Sequence, residues 1–154
     1  YGLCSMAKEL THLAADGSIS MVDVSDKDVI SRVATARGHI KLEAETIRLI
    51  NTDGLKKGNV LATARIAGIQ AAKQTATLIP LCHQLPLCHV SVDFEEVSDG
   101  FALQATAKTE AQTGVEMEAL TATSIAALTI YDMCKAVDAN MIISEVTLVE
   151  KVKG

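Results

Sequence analysis

The strongest constraint on this fold is a two-residue periodicity that recurs along the chain, in residues 30–39, 90–95 and 101–107. In the first stretch, Ala34 and Ala36 alternate with Thr35 and Arg37. Successive side chains of a strand point to opposite faces, so this period predicts β-strands. The turn-forming residues 98–100 lie between the second and third stretches and predict a β-hairpin.

Two further segments are also strand-like, and helical patterns fill the intervals. Residues 142–152 predict a final strand with Val146 and Leu148 in phase, and residues 19–24 are strand-like near the start. Apolar spacing predicts helices over residues 43–51, 59–75 and 114–138. The order strand, helices, strand, strand, helix, strand predicts an α+β fold. It is the ferredoxin-like split βαβ arrangement, a four-stranded antiparallel sheet with helices on one face.

Length and composition narrow the classes of protein. A chain of 154 residues favours one domain, taken here as residues 6–154, with residues 1–5 interpreted as a leader, linker or cloning remnant. Aromatic residues make up only 3% and the net charge is −5, which argues against a nucleic-acid partner. No segment reaches the roughly 18 apolar residues of a membrane span. The four cysteines are sparse, which favours reduced thiols and a cytoplasmic location.

A doubled tetrapeptide, Pro-Leu-Cys-His, begins at Pro80 and again at Pro86. The two prolines bracket a loop between regular elements. Its cysteines and histidines are zinc-ligand types, which raises the hypothesis of a Cys₂His₂ site. Adjacent Cys-His pairs point their side chains apart in extended backbone, so the spacing disfavours this site. The alternative makes Cys82 a small packed residue and leaves His83, in the loop, as the better-placed functional histidine.

The long predicted helix carries charge only near its ends. Asp132 and Lys135 are spaced i,i+3, which puts them on one face as an ion pair or as a proton-transfer couple. Near the start, Glu116 and Glu118 also suit the positive end of the helix dipole. Glu118 and Asp132 lie about 21 Å apart along a helix that rises 1.5 Å per residue. If both ends are functional, the ligand is extended or the site joins two subunits.

Several long blocks of the chain resemble one known family, the molybdenum cofactor biosynthesis protein C family of cyclic pyranopterin monophosphate synthases. The likeness runs from about residue 10 to residue 151, in order. The blocks are MVDV at 21–24, KG at 57–58, ATARIAGIQAAK at 62–73, LIPLCH at 78–83, TGVEMEALT at 113–121 and LTIYDMCKAV at 128–137. Gln84 departs from the proline that usually follows the histidine in this family.

This resemblance implies an enzyme, a lyase that converts 3′,8-cyclo-7,8-dihydro-GTP to cyclic pyranopterin monophosphate and releases pyrophosphate. It implies a homo-oligomer, a hexamer built as a trimer of dimers, with sites between subunits. No resident cofactor is implied, although Mg²⁺ can accompany the triphosphate. Asp132 and Lys135 match the catalytic residues. The matching substrate-binding residues are Lys57, Leu81, Cys82, His83, Glu116, Met117 and Glu118.

Physical roles follow for these positions. Lys135 serves as a general acid with Asp132 orienting it or accepting protons, and Lys57 and His83 neutralise the triphosphate. The alternative is a catalytically silent ligand-binding or assembly module of the same fold, which a pterin-forming assay distinguishes from the enzyme.

Overall fold

A computed structural model describes residues 17–154, so the interpretation of residues 1–5 as a leader lies outside the described residues. A central antiparallel sheet carries helices between its strands. The elements in chain order are β1 (Ile30–Lys41), α1 (Ala44–Asn51), α2 (Val60–Lys73), α3 (Thr75–Leu78), β2 (Leu87–Val97), β3 (Gly100–Ala111), α4 (Glu116–Cys134) and β4 (Ile142–Lys153).

The sheet has four strands in the order β2-β3-β1-β4, all paired antiparallel. The first and last strands of the motif therefore lie side by side, and the β2–β3 hairpin turns at Ser98 and Asp99 as predicted. Helices α2 and α4 pack against each other and on one face of the sheet. The α+β, ferredoxin-like prediction is confirmed.

Helices α2 and α4 approach each other closely because the residues at their contact are small. Gly68 of α2 faces α4, and a Cβ added there would lie 2.9 Å from the carbonyl oxygen of Ala122. Val92 of β2 would be 3.0 Å and Ala126 of α4 3.3 Å from the same position. A low aromatic content is thus compatible with a dense core, because small side chains let two helix backbones approach each other.

Two predictions about element boundaries were wrong. Residues 19–24 form no strand; only Ile19 makes an isolated β-bridge. The backbone carbonyl of Val22 instead bonds the His83 ring at 2.5 Å, so this segment covers the loop after α3 instead of joining the sheet. The helix predicted over residues 59–75 is broken at Gln74, which is the C-cap of α2.

The long helix also ends earlier than its pattern predicted, at Cys134 instead of residue 138. The backbone N–H groups of Val137 and Asp138 both bond the carbonyl of Cys134, at 2.9 and 3.0 Å, which closes the last turn. Asp138 then turns inward and bonds other elements. Within the part of the chain that the structure describes, no helix is long and apolar enough to cross a membrane.

Candidate active site

The predicted site residues form two clusters at opposite ends of α4. The carboxyl-end cluster comprises Lys57, Asp132 and Lys135. The amino-end cluster lies around a cavity and comprises Leu81, Cys82, His83, Glu116, Met117 and the neighbouring Glu118. Lys57 and His83, both expected at the triphosphate, therefore lie in different clusters of the chain.

The carboxyl-end cluster is a carboxylate held between two ammonium groups. Lys57 Nζ lies 3.0 Å from Asp132 Oδ2, and Lys135 Nζ lies 3.1 Å from Asp132 Oδ1. Hydrogen bonds from Lys57 and then Lys135, together with their positive charges, hold the pKa of Asp132 below its usual value. The cluster thus carries one excess positive charge and exposed proton donors, a combination suited to an anionic ligand.

Local and distant parts of the chain build this cluster in different ways. Lys135 is the C-cap of α4, so its i,i+3 spacing brings it to Asp132 directly. Lys57 lies in the loop between α1 and α2 and also donates to the backbone carbonyl of Asp132 at 3.1 Å. An ammonium group at this carbonyl also complements the negative end of the α4 dipole.

The amino-end cluster borders a cavity of about 860 Å³. Residues 79–83 and Leu85 form one wall, and Glu116 and Met117 of α4 form another. Sequence reasoning missed the third wall, which Ile19, Val22 and Val24 supply. The available signal was the MVDV block at residues 21–24, which was interpreted as a strand.

Two acidic side chains at the amino end of α4 each have a carboxylate oxygen that accepts no hydrogen bond within residues 17–154. Glu118 is 3% exposed, and the Oε1 atoms of Glu116 and Glu118 have no hydrogen-bond partner among residues 17–154. Lys151 of β4 forms an ion pair with Glu116, its Nζ 3.5 Å from Oε1. Burial raises the pKa of Cys82, with the charges of Glu118 and Glu116 adding to the rise.

Glu118 is the most perturbed carboxyl of the site. Burial raises the pKa of Glu118 to about 7, its backbone N–H opposes this, and the charge of Glu116 adds to the rise. Buried acceptors without donors carry a desolvation cost unless a ligand satisfies them. The raised pKa and the Oε1 atom without a hydrogen bond make Glu118 a candidate for binding a ligand N–H group or exchanging a proton near neutral pH.

We expect Glu118→Gln to flatten the pH dependence of stability. Between the ordinary value of 4.5 and about 7, the folded chain keeps a proton that the unfolded chain loses. The free energy of unfolding of the wild type therefore falls as the pH rises through this window, by at most about 3 kcal/mol. Urea unfolding at pH 5 and pH 8, at fixed protein concentration, measures the difference. The control is the exposed variant Glu95→Gln, in which the free energy of unfolding should change between pH 5 and pH 8 as much as in the wild type. The same change in Glu118→Gln would contradict a raised pKa of Glu118.

The two copies of the Pro-Leu-Cys-His sequence lie in different environments, the first in the loop after α3 and the second at the start of β2. Cys82 is half-buried in the loop, whereas Cys88 is exposed on β2. The His83 ring bonds the carbonyl of Val22, and His89 is exposed on β2. Within residues 17–154, no group of at least three His, Cys, Asp or Glu side chains is placed to hold a metal ion.

Comparison with known proteins identifies relatives over nearly the whole chain. Residues 21–154 match the MoaC family. A relative from Chloroflexus aurantiacus, named cyclic pyranopterin monophosphate synthase, is 57% identical over 148 residues, which are 95% of this chain and 91% of the relative. A protein of the same name from Parvibaculum lavamentivorans is 53% identical over 150 residues, covering 96% of this chain and 94% of the relative.

In a bifunctional relative, a similar sequence forms part of a longer protein. The molybdenum cofactor biosynthesis bifunctional protein of Chlorobaculum tepidum is 56% identical over 146 residues. These residues are 95% of this chain but 47% of that protein.

Proposed function

This chain belongs to the MoaC family, and on that basis we propose that it is a cyclic pyranopterin monophosphate synthase of molybdenum cofactor biosynthesis. It is a lyase, and its substrate is the small molecule 3′,8-cyclo-7,8-dihydro-GTP. The products are cyclic pyranopterin monophosphate and pyrophosphate. The observation that carries this proposal is Asp132 between Lys57 and Lys135, at positions matching the family's motifs.

The chemistry needs groups that move protons and stabilise phosphate charge. The purine ring opens, the pterin and pyran rings form, and a ribose hydroxyl attacks the α-phosphorus as pyrophosphate leaves. Lys135 acts as the general acid, and Asp132 orients its ammonium group and accepts protons. Lys57 binds the phosphates, since its ammonium group is exposed beside Asp132.

The amino-end cluster binds the fused-ring part of the substrate. The walls of its cavity are mainly apolar, and Glu116 is one of the residues that line it. Glu118 lies two residues further along α4, and the Oε1 atoms of both side chains offer acceptors for N–H groups of a purine or pterin. Leu81, Cys82 and Met117 pack against the rings, and His83 donates to the substrate once its bond to Val22 opens. These assignments are supported by the cavity and by the buried Oε1 atoms of Glu116 and Glu118, which accept no hydrogen bond within residues 17–154.

One substrate cannot easily contact both clusters within one chain, because α4 separates them by about 21 Å. We therefore propose that the site lies between subunits of a hexamer built as a trimer of dimers. The carboxyl-end cluster of one subunit then meets the amino-end cluster of another. Leu128 and Tyr131 support an interface there, because they lie on the face of α4 that carries Asp132 and are 54% and 37% exposed.

We propose that the enzyme acts in the cytoplasm without a resident cofactor and that Mg²⁺ accompanies the triphosphate. An assay with enzymatically generated 3′,8-cyclo-7,8-dihydro-GTP tests the function. The metal-stripped protein is tested with and without added Mg²⁺, and cyclic pyranopterin monophosphate and pyrophosphate are quantified. Equimolar formation of both products supports the proposal. Absence of both products in both conditions contradicts it and favours a catalytically silent binding module.

A further inference from the structure

A buried carboxylate, Asp138, lies just beyond the end of α4 and only 3% of its surface is exposed. Its Oδ2 accepts hydrogen bonds from the backbone N–H of Glu43 and from the Thr46 hydroxyl, both at 2.9 Å. Its Oδ1 accepts from the backbone N–H of Asn140 at 3.0 Å. Both carboxylate oxygens are therefore hydrogen-bonded, Oδ2 to the start of α1 and Oδ1 to the loop between α4 and β4.

Two of these bonds join parts of the chain that are 92 and 95 residues apart in sequence. Glu43 is the N-cap of α1, and no side chain of its own caps this end within the described residues. Asp138, which is distant in sequence, places its carboxylate at this end and accepts from the backbone N–H of Glu43. A carboxylate at a helix amino terminus is also favoured by the helix dipole.

The backbone of the same residue is tied to α4. The N–H of Asp138 bonds the carbonyl of Cys134 at 3.0 Å, and the N–H of Val137 bonds it at 2.9 Å. Lys135 lies inside the turn that these bonds close, and its Nζ reaches Asp132 at 3.1 Å. The turn that carries Lys135 is thus anchored through its backbone to α4 and through the Asp138 side chain to α1.

The position of α1 also affects Lys57. This lysine follows α1 after a short loop, in which Leu55 is buried in the core. Its ammonium group contacts both the carboxylate and the carbonyl of Asp132. A change in the position of α1 relative to α4 therefore moves Lys57 against Asp132, just as a change in the turn moves Lys135.

We propose that Asp138 is a positioning residue for the reaction, holding Lys135 and Lys57 in register with Asp132 through its bonds to Glu43 and Thr46. This inference rests on the proposed function. The Asp138 side chain bonds none of the charged groups of the cluster, so its effect passes through the backbone. Misplacement of a catalytic group by about 1 Å lowers rates by about 100-fold.

The test is Asp138→Asn, which keeps the shape but places an amide N–H₂ where an acceptor is needed. We expect kcat to fall by about 10- to 100-fold while KM changes by less than about twofold. Thr46→Ser keeps the hydroxyl donor and should retain kcat, whereas Thr46→Val removes one bond and should give an intermediate kcat. Unchanged kcat in Asp138→Asn overturns the inference.

Loss of stability alone is separated from positioning by a matched core variant. Val92 is buried on β2, away from the turn, so Val92→Ala lowers the melting temperature without changing these bonds. We expect Val92→Ala to keep its kcat at a temperature where both variants are folded. An equal fall of kcat in both variants, at equal loss of stability, makes the role of Asp138 merely structural and contradicts positioning.

A readout without substrate separates this inference from the proposed function. Carbon-13 NMR of labelled aspartate reports the titration of Asp132, whose pKa the hydrogen bonds from Lys57 and Lys135 lower. In Asp138→Asn we expect this pKa to rise towards the ordinary value of 3.8, because the lysines are less well placed. An unchanged pKa of Asp132 in Asp138→Asn contradicts the positioning role, whatever the pterin assay shows. An inactive wild type in the pterin assay contradicts only the proposed function.

Discussion

Lys135→Ala and Asp132→Asn are each expected to lower the rate of pyranopterin formation by about 10²- to 10⁴-fold, the usual contribution of a general acid or base. Lys135 Nζ and Asp132 Oδ1 are 3.1 Å apart, so either change leaves the other group without its partner. Both side chains are exposed, at 61% and 57%, so the fold and the oligomeric state should persist. Single-turnover product formation and the elution volume of each variant check these expectations.

A second exposed ion pair with the same sequence spacing provides the control. Arg48 and Glu45 are also spaced i,i+3, with Arg48 Nη2 and Glu45 Oε1 2.5 Å apart and both side chains exposed. This pair lies on α1, outside both clusters, and surface pairs of this kind contribute little to stability. Glu45→Gln should keep full activity. Full activity in Lys135→Ala or Asp132→Asn would show that the pair is only a surface ion pair.

Mixing two inactive variants, His83→Ala and Lys135→Ala, is expected to restore activity when their subunits exchange. Each variant damages one cluster, so a mixed dimer contains one site with the intact carboxyl-end cluster of one subunit and the intact amino-end cluster of the other. Random pairing of two copies in equal amounts yields about a quarter of the wild-type activity. Activity is measured before and after exchange, with exchange verified by co-purification of differently tagged subunits.

The matched negative control mixes Lys57→Ala with Lys135→Ala. Lys57 and Lys135 contact the same Asp132 within one chain, so every carboxyl-end cluster in this mixture lacks one lysine. No activity should return. If His83→Ala and Lys135→Ala also fail to complement each other despite verified exchange, the site does not join two subunits.

Much of the fold was predictable because its signals are local. The alternation around Ala34 and Ala36 predicted β1, and residues 98–100 predicted the turn of the hairpin. These patterns depend on neighbouring residues in a strand or turn and need no knowledge of the rest of the chain. Residues 19–24 had the same kind of pattern but no strand beside them to pair with throughout, and they cover the loop at His83 instead.

In the site, too, the contacts between residues close in sequence were predictable and the contacts between distant residues were not. The pairing of Asp132 with Lys135 follows from helical spacing alone, and the resemblance of the motifs identified it as catalytic. The approach of Lys57, which is 75 residues from Asp132 in sequence, depends on how the loop after α1 packs against α4. Spacing contains no information about such a contact, because the intervening chain can bring the two groups together or keep them apart.

The sequence by itself determined the order of strands and helices, the ion pair at the end of α4 and the family to which the chain belongs. Only the tertiary structure decided that Lys57 forms an ion pair with Asp132 and lies in a different cluster from His83. It also decided that Glu118 is buried and that Asp138 links α4 to α1. The physical reason is that periodicity and capping arise from contacts within a few residues. Burial and charge pairing across the domain arise only once distant segments have excluded water from the space between them.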